Sequence, residues 1–404
     1  MLMHPTNILQ FYIVPAHLPH TSRPSLFLVP RFVELDASLE RKFRDGMTFD
    51  KGMKCNNISF ENVSNNQTDI VFGNGRSQGA REDIRLGSIA YLIADEDTTS
   101  HAIRYYNQVN NLFLSVESIG KSVAEFLHSM ETLDAQKVNY HSRSKSDNRL
   151  VLQRLLRQKV YSEGAVALSV YVSSLMDRSC GESTALDMAN FEFMSLLLRC
   201  WTVHYCDKST GISKLDNHNG SDVSIDTEWV ALSVEFLKRI NDGGYENLIA
   251  DISATVDIAS SDKHQDILGG YAADVKAALS QHADATKRYV SLIRDSSVDG
   301  SEPSVINSHE FVLCTGHLCM AWVWLRQGVE AHRALLKADE FSGSNSAGET
   351  YKNFYLGKIS ALDYFCNYEL VKIYSQTQLL VKNPQILDFA ETEWLWQFQD
   401  QEVV

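Results

Sequence analysis

The stretch FVLCTGHLCMAWVWL at residues 311–325 is the part of the sequence that most constrains the fold. It contains no Asp, Glu, Lys or Arg, and its apolar residues do not alternate with polar ones. A membrane-spanning helix needs about 20 apolar residues, so this stretch is too short to cross a bilayer. A helix that is apolar on all sides has to be enclosed by other elements. We therefore predict a buried helix that includes His317 as a core histidine, and no transmembrane segment.

Helical spacing of apolar residues extends over most of the chain around this stretch. Between residues 150 and 176, apolar residues recur every three or four positions, as they do on the core-facing side of a helix. No proline occurs between Arg31 and Glu302, which leaves room for long helices. The pattern predicts a mainly α fold, with helices at 100–136, 150–176, 188–206, 226–241, 265–295, 307–337 and 351–379.

The N-terminal quarter of the chain has a different pattern. Residues 25–96 contain short β-branched and aromatic runs separated by polar and glycine-rich stretches, which predicts a small, incomplete β unit. Residues 1–24 hold four prolines, and no Asp or Glu occurs in the first 33 residues. We expect residues 1–24 to be a flexible or targeting leader.

Composition excludes several classes of protein. The 404 residues carry a net charge of −14, whereas a protein that holds a nucleic-acid backbone has a basic surface. Seven cysteines, an odd number, argue against a secreted disulfide scaffold and favour a reducing compartment. Cys200, His204 and Cys206 lie close together, but no second pair has zinc-ligand spacing, so we interpret them as core residues and predict no metal site.

Five segments resemble the acyl-CoA dehydrogenase family and its subgroups. KVYSEGAVALSVYVSSLMD at 159–177 is similar to a family helix with a Lys/Tyr/Glu-Gly signature, SLFLVP at 25–30 to a strand of the β domain, and GSIAYLIADEDTTSHAIRYYNQVN at 87–110 to the passage into the next helix. The 311–325 stretch and FYLGKISALDYFCNYEL at 354–370 resemble the extra C-terminal helical domain of the 3-methylmercaptopropionyl-CoA dehydrogenase subgroup.

The resemblance implies a domain organisation. Residues 1–24 form the leader, 25–96 a remnant β domain, 97–264 an acyl-CoA dehydrogenase-like helical bundle, and 265–404 the C-terminal helical domain. The predicted fold class is therefore mainly α, with a dehydrogenase-like bundle, a small β unit and an added helical domain.

The resemblance also identifies positions at which the family keeps its chemistry. These enzymes remove a proton from an acyl-CoA thioester with a Glu base and pass a hydride to FAD. The base position falls at Ser224, with the carboxylates of Asp226 and Glu228 nearby, and the flavin-binding positions fall at Val138 and Tyr140. The family's N-terminal helical domain has no counterpart in the sequence. We therefore expect no FAD and no catalytic residue.

Two functions follow from the resemblance. In the first, the chain is a degenerate, non-catalytic relative that serves as an accessory subunit of a mitochondrial assembly, such as a respiratory complex, in a homo- or hetero-oligomer. In the second, it is an active FAD-dependent acyl-CoA dehydrogenase completed by a missing N-terminal half or another chain. The aromatic residues Trp394, Trp396 and Phe398 either pack on the chain's own core or anchor a partner.

Overall fold

The computed structural model describes nine short strands between residues 11 and 94, Arg23, and residues 96–135, 145–180, 184–206, 222–298, 307–340 and 346–382. The chain divides into two compact units, residues 1–107 and 108–404. The boundary between the units falls within the first helix, α1 (Glu96–Ala135).

A three-stranded antiparallel sheet is the main element of the first unit. Its strand order is β1 (Phe11–His17), β2 (Pro24–Pro30) and β9 (Tyr91–Ala94). Three antiparallel pairs complete the described strands: β3 (Phe32–Glu34) with β4 (Arg41–Phe43), β5 (Met47–Phe49) with β6 (Ile58–Phe60), and β7 (Asp69–Ile70) with β8 (Ile84–Arg85). Strand β1 lies inside the segment assigned to a leader, so residues 11–17 belong to the sheet.

Helices make up the described part of the second unit. After α1 they are α2 (Lys145–Ser179), α3 (Ala185–Trp201), α4 (Asp222–Lys238), α5 (Gly244–Ala259), α6 (Gln265–Val298), α7 (Ser308–Glu340), α8 (Ser346–Tyr364) and α9 (Lys372–Leu380). A π-helical segment, Thr202–Cys206, continues α3, and a second, Phe365–Glu369, continues α8. The mainly α fold class is confirmed, while the domain boundaries stay predictions.

Helix α7 is the central helix of this unit. It packs against α2, α3, α4, α5, α6, α8 and α9, and every residue from 311 to 325 is buried. Burying one large apolar side chain stabilises a fold by about 1.5–3 kcal/mol, so this helix contributes much of the core's stability. The prediction of a buried helix is confirmed, and none of the helices in the described ranges is long and apolar enough to cross a membrane.

Helix α5 is absent from the predicted elements. Its inward residues recur at helical spacing, namely Leu248, Ile252, Val256 and Ala259. The helix was missed because it begins at a Gly-Gly pair, which normally indicates a turn. The structure shows why both glycines are needed. Gly243 has a φ of 90°, and an added Cβ at Gly244 would lie 2.5 Å from Phe193 Cβ and 2.9 Å from the Ala189 carbonyl oxygen.

Gly244→Ala is expected to lower the free energy of unfolding by about 1–3 kcal/mol, because the new methyl group overlaps a backbone oxygen that cannot rotate away. The matched control is Gly270→Ala on α6, where an added Cβ meets nothing within 4 Å. Alanine is the better helix former, so this control should gain up to about 1 kcal/mol. Urea unfolding followed by circular dichroism measures both. Equal effects of the two variants would contradict the close approach at Gly244.

Candidate functional site

The residues predicted from the family resemblance lie in different parts of the chain. Ser224, Asp226 and Glu228 lie in the first two turns of α4, and the structure describes only their backbone. Val138 and Tyr140 lie outside the described residues, as do Trp394, Trp396 and Phe398. The roles assigned to all of these positions remain predictions.

The signature helix α2 directs two of its polar residues toward other helices. Tyr161 is buried, and its hydroxyl group donates a hydrogen bond to Glu369 Oε2 at the end of the second π-helical segment. Two residues further along α2, Glu163 Oε2 lies 2.9 Å from Lys358 Nζ on α8. Gly164 lies close against α7, because an added Cβ would lie 2.7 Å from Met320 Cε of that helix. The signature therefore joins α2 to α7, α8 and the second π-helical segment.

Glu369 is the centre of an ionic cluster, which we call the Glu369 cluster and which consists of Arg157, Tyr161, Glu369 and Lys372. The Glu369 side chain is only 4% exposed. Its Oε2 accepts from Lys372 Nζ as well as from Tyr161, and its Oε1 lies 3.6 Å from Arg157 Nε. Lys372 Nζ also donates to the Tyr161 hydroxyl oxygen at 3.1 Å. Two cations and a phenol thus surround a single carboxylate.

Both π-helical segments contribute to this region. The first carries Tyr205, whose ring stacks on the ring of Tyr161 with centroids 4.8 Å apart. The Tyr205 hydroxyl group donates to His317 Nε2 at 3.3 Å, while His317 Nδ1–H donates to the Leu313 carbonyl oxygen at 2.9 Å. Short π-helical segments in α-helical proteins occur frequently at functional sites, so their convergence makes this region the candidate site.

Burial fixes the protonation states of the aromatic residues here. It raises the pKa of Tyr161 well above its usual range, and the adjacent Glu369 carboxylate raises it further. Burial also raises the pKa of Tyr205 and lowers that of His317 to about 3. A general acid or base works best when its pKa lies near the working pH. These three groups therefore stay neutral near pH 7 and are poor proton carriers.

A cleft of about 440 Å³ is lined by residues of α2, α7 and α8. Its lining combines five apolar residues with two tyrosines, Ser174 and four longer polar or charged residues, namely Arg326, Gln327, Glu330 and Lys358. Lys358 Nζ donates to Gln327 Oε1 at 3.2 Å, and the Arg326 guanidinium lies 5.1 Å from the ring centroid of Trp322. The volume falls in the range of small-molecule sites, about 300–1,000 Å³.

The cleft does not fit FAD. The pyrophosphate of a dinucleotide is normally bound by a helix N-terminus or a glycine-rich loop. All lining residues of this cleft belong to the interiors of α2, α7 and α8. Nothing in the lining supplies the row of free backbone N–H groups that a pyrophosphate requires.

Several other histidines and cysteines of the second unit are core residues. His264 and His332 share a hydrogen bond between their Nδ1 atoms at 2.9 Å, and His282 Nε2 lies 3.0 Å from Thr315 Oγ1. Cys200 and Cys206 are fully buried, and so are Cys314 and Cys319. Over the described ranges, no group of three or more His, Cys, Asp or Glu residues is placed to hold a metal ion. The interpretation of His317 as a core histidine is confirmed by its burial and its two hydrogen bonds.

A comparison with known protein families gives a match in the C-terminal part of the bundle. Residues 248–387 match the family model described as "Acetyl-CoA dehydrogenase C-terminal like". The match begins within α5, ends after α9 and covers about a third of the chain. A comparison with curated proteins gives no match. The sequence resemblance to acyl-CoA dehydrogenases is thus supported over this helical domain, and the finer assignment to a subgroup remains a prediction.

Sequence reasoning missed the residues that hold the candidate site together. Glu369 and Lys372 lie in a segment predicted as one continuous helix, which the structure interrupts with the π-helical segment. Tyr161 lies 208 residues before Glu369, and no periodicity in the sequence connects them. The Tyr of the family-like segment at 159–177 was the one feature of the sequence that pointed to this region.

Proposed function

We propose that this chain is a non-catalytic relative of acyl-CoA dehydrogenases, kept for its helical surface, which serves as an accessory subunit of a mitochondrial assembly such as a respiratory complex. The match to the C-terminal helical family model supports the relationship. The mitochondrial location comes from the resemblance, since the family resides there in eukaryotes.

The observation that carries this proposal is the use of the signature helix. Its polar residues Tyr161 and Glu163 bond to Glu369 and Lys358 of other helices, so the residues most similar to the family serve to hold helices together. The buried carboxylate of Glu369 already binds Lys372 and a phenol, which leaves it unsuited to take a proton from a substrate.

The family's chemistry gives a second argument. Dehydrogenation of a thioester needs a carboxylate beside the substrate's α-carbon and a flavin that accepts the hydride. The resemblance puts Ser224 at the base position, and a serine hydroxyl is far too weak a base to replace a carboxylate. The active-enzyme alternative rests on Asp226 and Glu228, which lie within about one helical turn of Ser224 on α4.

The test is to purify the full chain from its native source. We expect a protein without flavin absorbance, which sediments with a larger mitochondrial assembly whose subunits mass spectrometry identifies. Flavin absorbance together with oxidation of an acyl-CoA would overturn the proposal. In that case Asp226→Asn and Glu228→Gln, assayed against Lys276→Gln on α6 as control, would identify the base. A colourless chain that sediments alone would contradict the accessory role.

A further inference from the structure

The cleft lined by α2, α7 and α8 has the size of a small-molecule site. Its volume is about 440 Å³. Ala167 of α2 and Ala331 of α7 belong to its lining, where longer side chains would narrow the space. A concave site formed by three packed helices suits a compact ligand that can contact all of them at once.

Arg326 of α7 carries a positive charge at the cleft that has no anionic partner. Its guanidinium lies against the rings of Tyr171 and Trp322, at 5.5 and 5.1 Å from their centroids, and the residue is exposed. Within the described ranges, no carboxylate lies at ion-pair distance from it, because Glu330, one turn along α7, is paired with Arg333. An arginine that packs on aromatic rings can still present its N–H groups to a planar anion.

The other charged residues of the lining already have partners. Lys358 Nζ lies 2.9 Å from Glu163 Oε2 and donates to Gln327 Oε1 at 3.2 Å. Glu330 is paired with Arg333, which lies outside the lining. The cleft therefore has one positive charge in excess, although the chain as a whole has a net charge of −14. One guanidinium matches one carboxylate, whereas a phosphate dianion would need a second unpaired cation.

Apolar side chains of the lining are exposed to water. Val170 of α2 is 65% exposed, and Phe354 of α8 is 57% exposed. The Phe354 ring meets the ring of Tyr355 edge to face, with centroids 5.1 Å apart. Covering these side chains would remove apolar area from water, which favours binding of an apolar group. Aromatic rings pack well on other rings, so a flat aromatic group fits this part of the cleft.

From these observations we propose that the cleft binds a small aromatic carboxylate, whose carboxylate pairs with Arg326 and whose ring packs against Val170 and Phe354. The site uses neither a flavin nor a catalytic residue, so it goes beyond the proposed accessory role and does not depend on it. A ligand in this position contacts α2, α7 and α8 together. Its binding should therefore also raise the Tm of the chain.

The experiment compares two probes that differ only in charge. Cinnamate is a planar aromatic carboxylate, and cinnamamide has nearly the same shape without the charge. In a ligand-observed NMR titration of the full chain, we expect cinnamate to bind with a Kd of about 1 mM or tighter, as a compact ligand of this size can. Cinnamamide should bind at least about 10-fold more weakly, because the charge-assisted hydrogen bonds to Arg326 are lost.

Variants of the lining locate the binding site. Arg326→Gln should weaken cinnamate binding by about 10- to 100-fold and leave cinnamamide binding unchanged. The matched control, Arg288→Gln, removes an exposed arginine of α6 outside this lining and should change neither affinity. Ala167→Phe fills the cleft and should abolish binding of both probes. Circular dichroism checks that each variant keeps its helical fold.

The proposal fails on any of three results. Equal binding of cinnamate and cinnamamide would mean that the cleft does not recognise a carboxylate. Cinnamate binding that survives Arg326→Gln would place the anion elsewhere on the chain. Absence of binding by either probe would mean that the cleft is not a site for such ligands. If binding then appears when Trp394, Trp396 and Phe398 are all replaced by Ala, the acidic aromatic segment at 391–400 is the occupant instead.

Discussion

Glu369→Leu is expected to lower the free energy of unfolding by about 3 kcal/mol. The substitution removes the carboxylate that binds Lys372 and leaves the Tyr161 hydroxyl group, buried in the core, without its acceptor. Breaking a buried ion pair from one side costs about 3–5 kcal/mol, and the expected value is at the lower end because the Lys372 side chain keeps 33% exposure. Urea unfolding followed by circular dichroism measures the loss.

Two further variants test whether the large loss of unfolding free energy is specific to the Glu369 cluster or follows from the loss of any ion pair. Glu330→Gln removes a surface partner of Arg333, whose Nη1 lies 2.5 Å from Glu330 Oε1, and should cost about 0.5 kcal/mol or less. The triple change Tyr161→Phe, Glu369→Leu and Lys372→Met removes the three cluster members that hydrogen-bond to one another and leaves Arg157, whose side chain is 52% exposed. It should recover most of the loss, because apolar replacement of a buried ionic group together with its partners is often neutral and the remaining cation can stay in water. A triple variant as unstable as Glu369→Leu alone would contradict this account.

Stability is expected to fall by about 4 kcal/mol when the pH is lowered from 7 to 5. Burial lowers the pKa of His282 to about 4 and that of His317 to about 3, below the usual value of about 6.5. In this pH range the unfolded chain therefore binds protons that the folded chain does not, and each histidine contributes about 2 kcal/mol to the loss. Burial also lowers the pKa of His264, which acts in the same direction.

The measurement is the free energy of unfolding at several pH values between 7 and 5. His282→Gln and His317→Gln should each remove about 2 kcal/mol of the pH-dependent loss, whatever their effect on stability at pH 7. Leu318→Ala on α7 is the control, because it creates a cavity in the same core without removing a titrating group. A pH dependence that is the same in all of these variants would show that other groups cause the loss.

The sequence alone determined the fold class and the central helix. Residues 311–325 are apolar on every side, and a helix with that composition can only be stable when other elements enclose it. The long proline-free run and the 3.6-residue periodicity likewise predicted most helices to within a few residues. Helix α5 was missed because its four inward residues form a short signal beside a glycine pair that also serves in turns.

Only the tertiary structure decided which residues form the candidate site and which face of α1 is exposed. Tyr161 and Glu369 meet because α2 and the second π-helical segment pack side by side, and local patterns carry no information about a contact between residues 208 positions apart. Helix α1 has apolar residues on two sides, so its sequence shows an inner stripe and an outer stripe that overlap. Helix α3 contacts only the side of α1 that carries Gln108 and Ser118, through hydrogen bonds from Ser195 and Arg199. This packing buries one apolar stripe of α1 and leaves the other exposed.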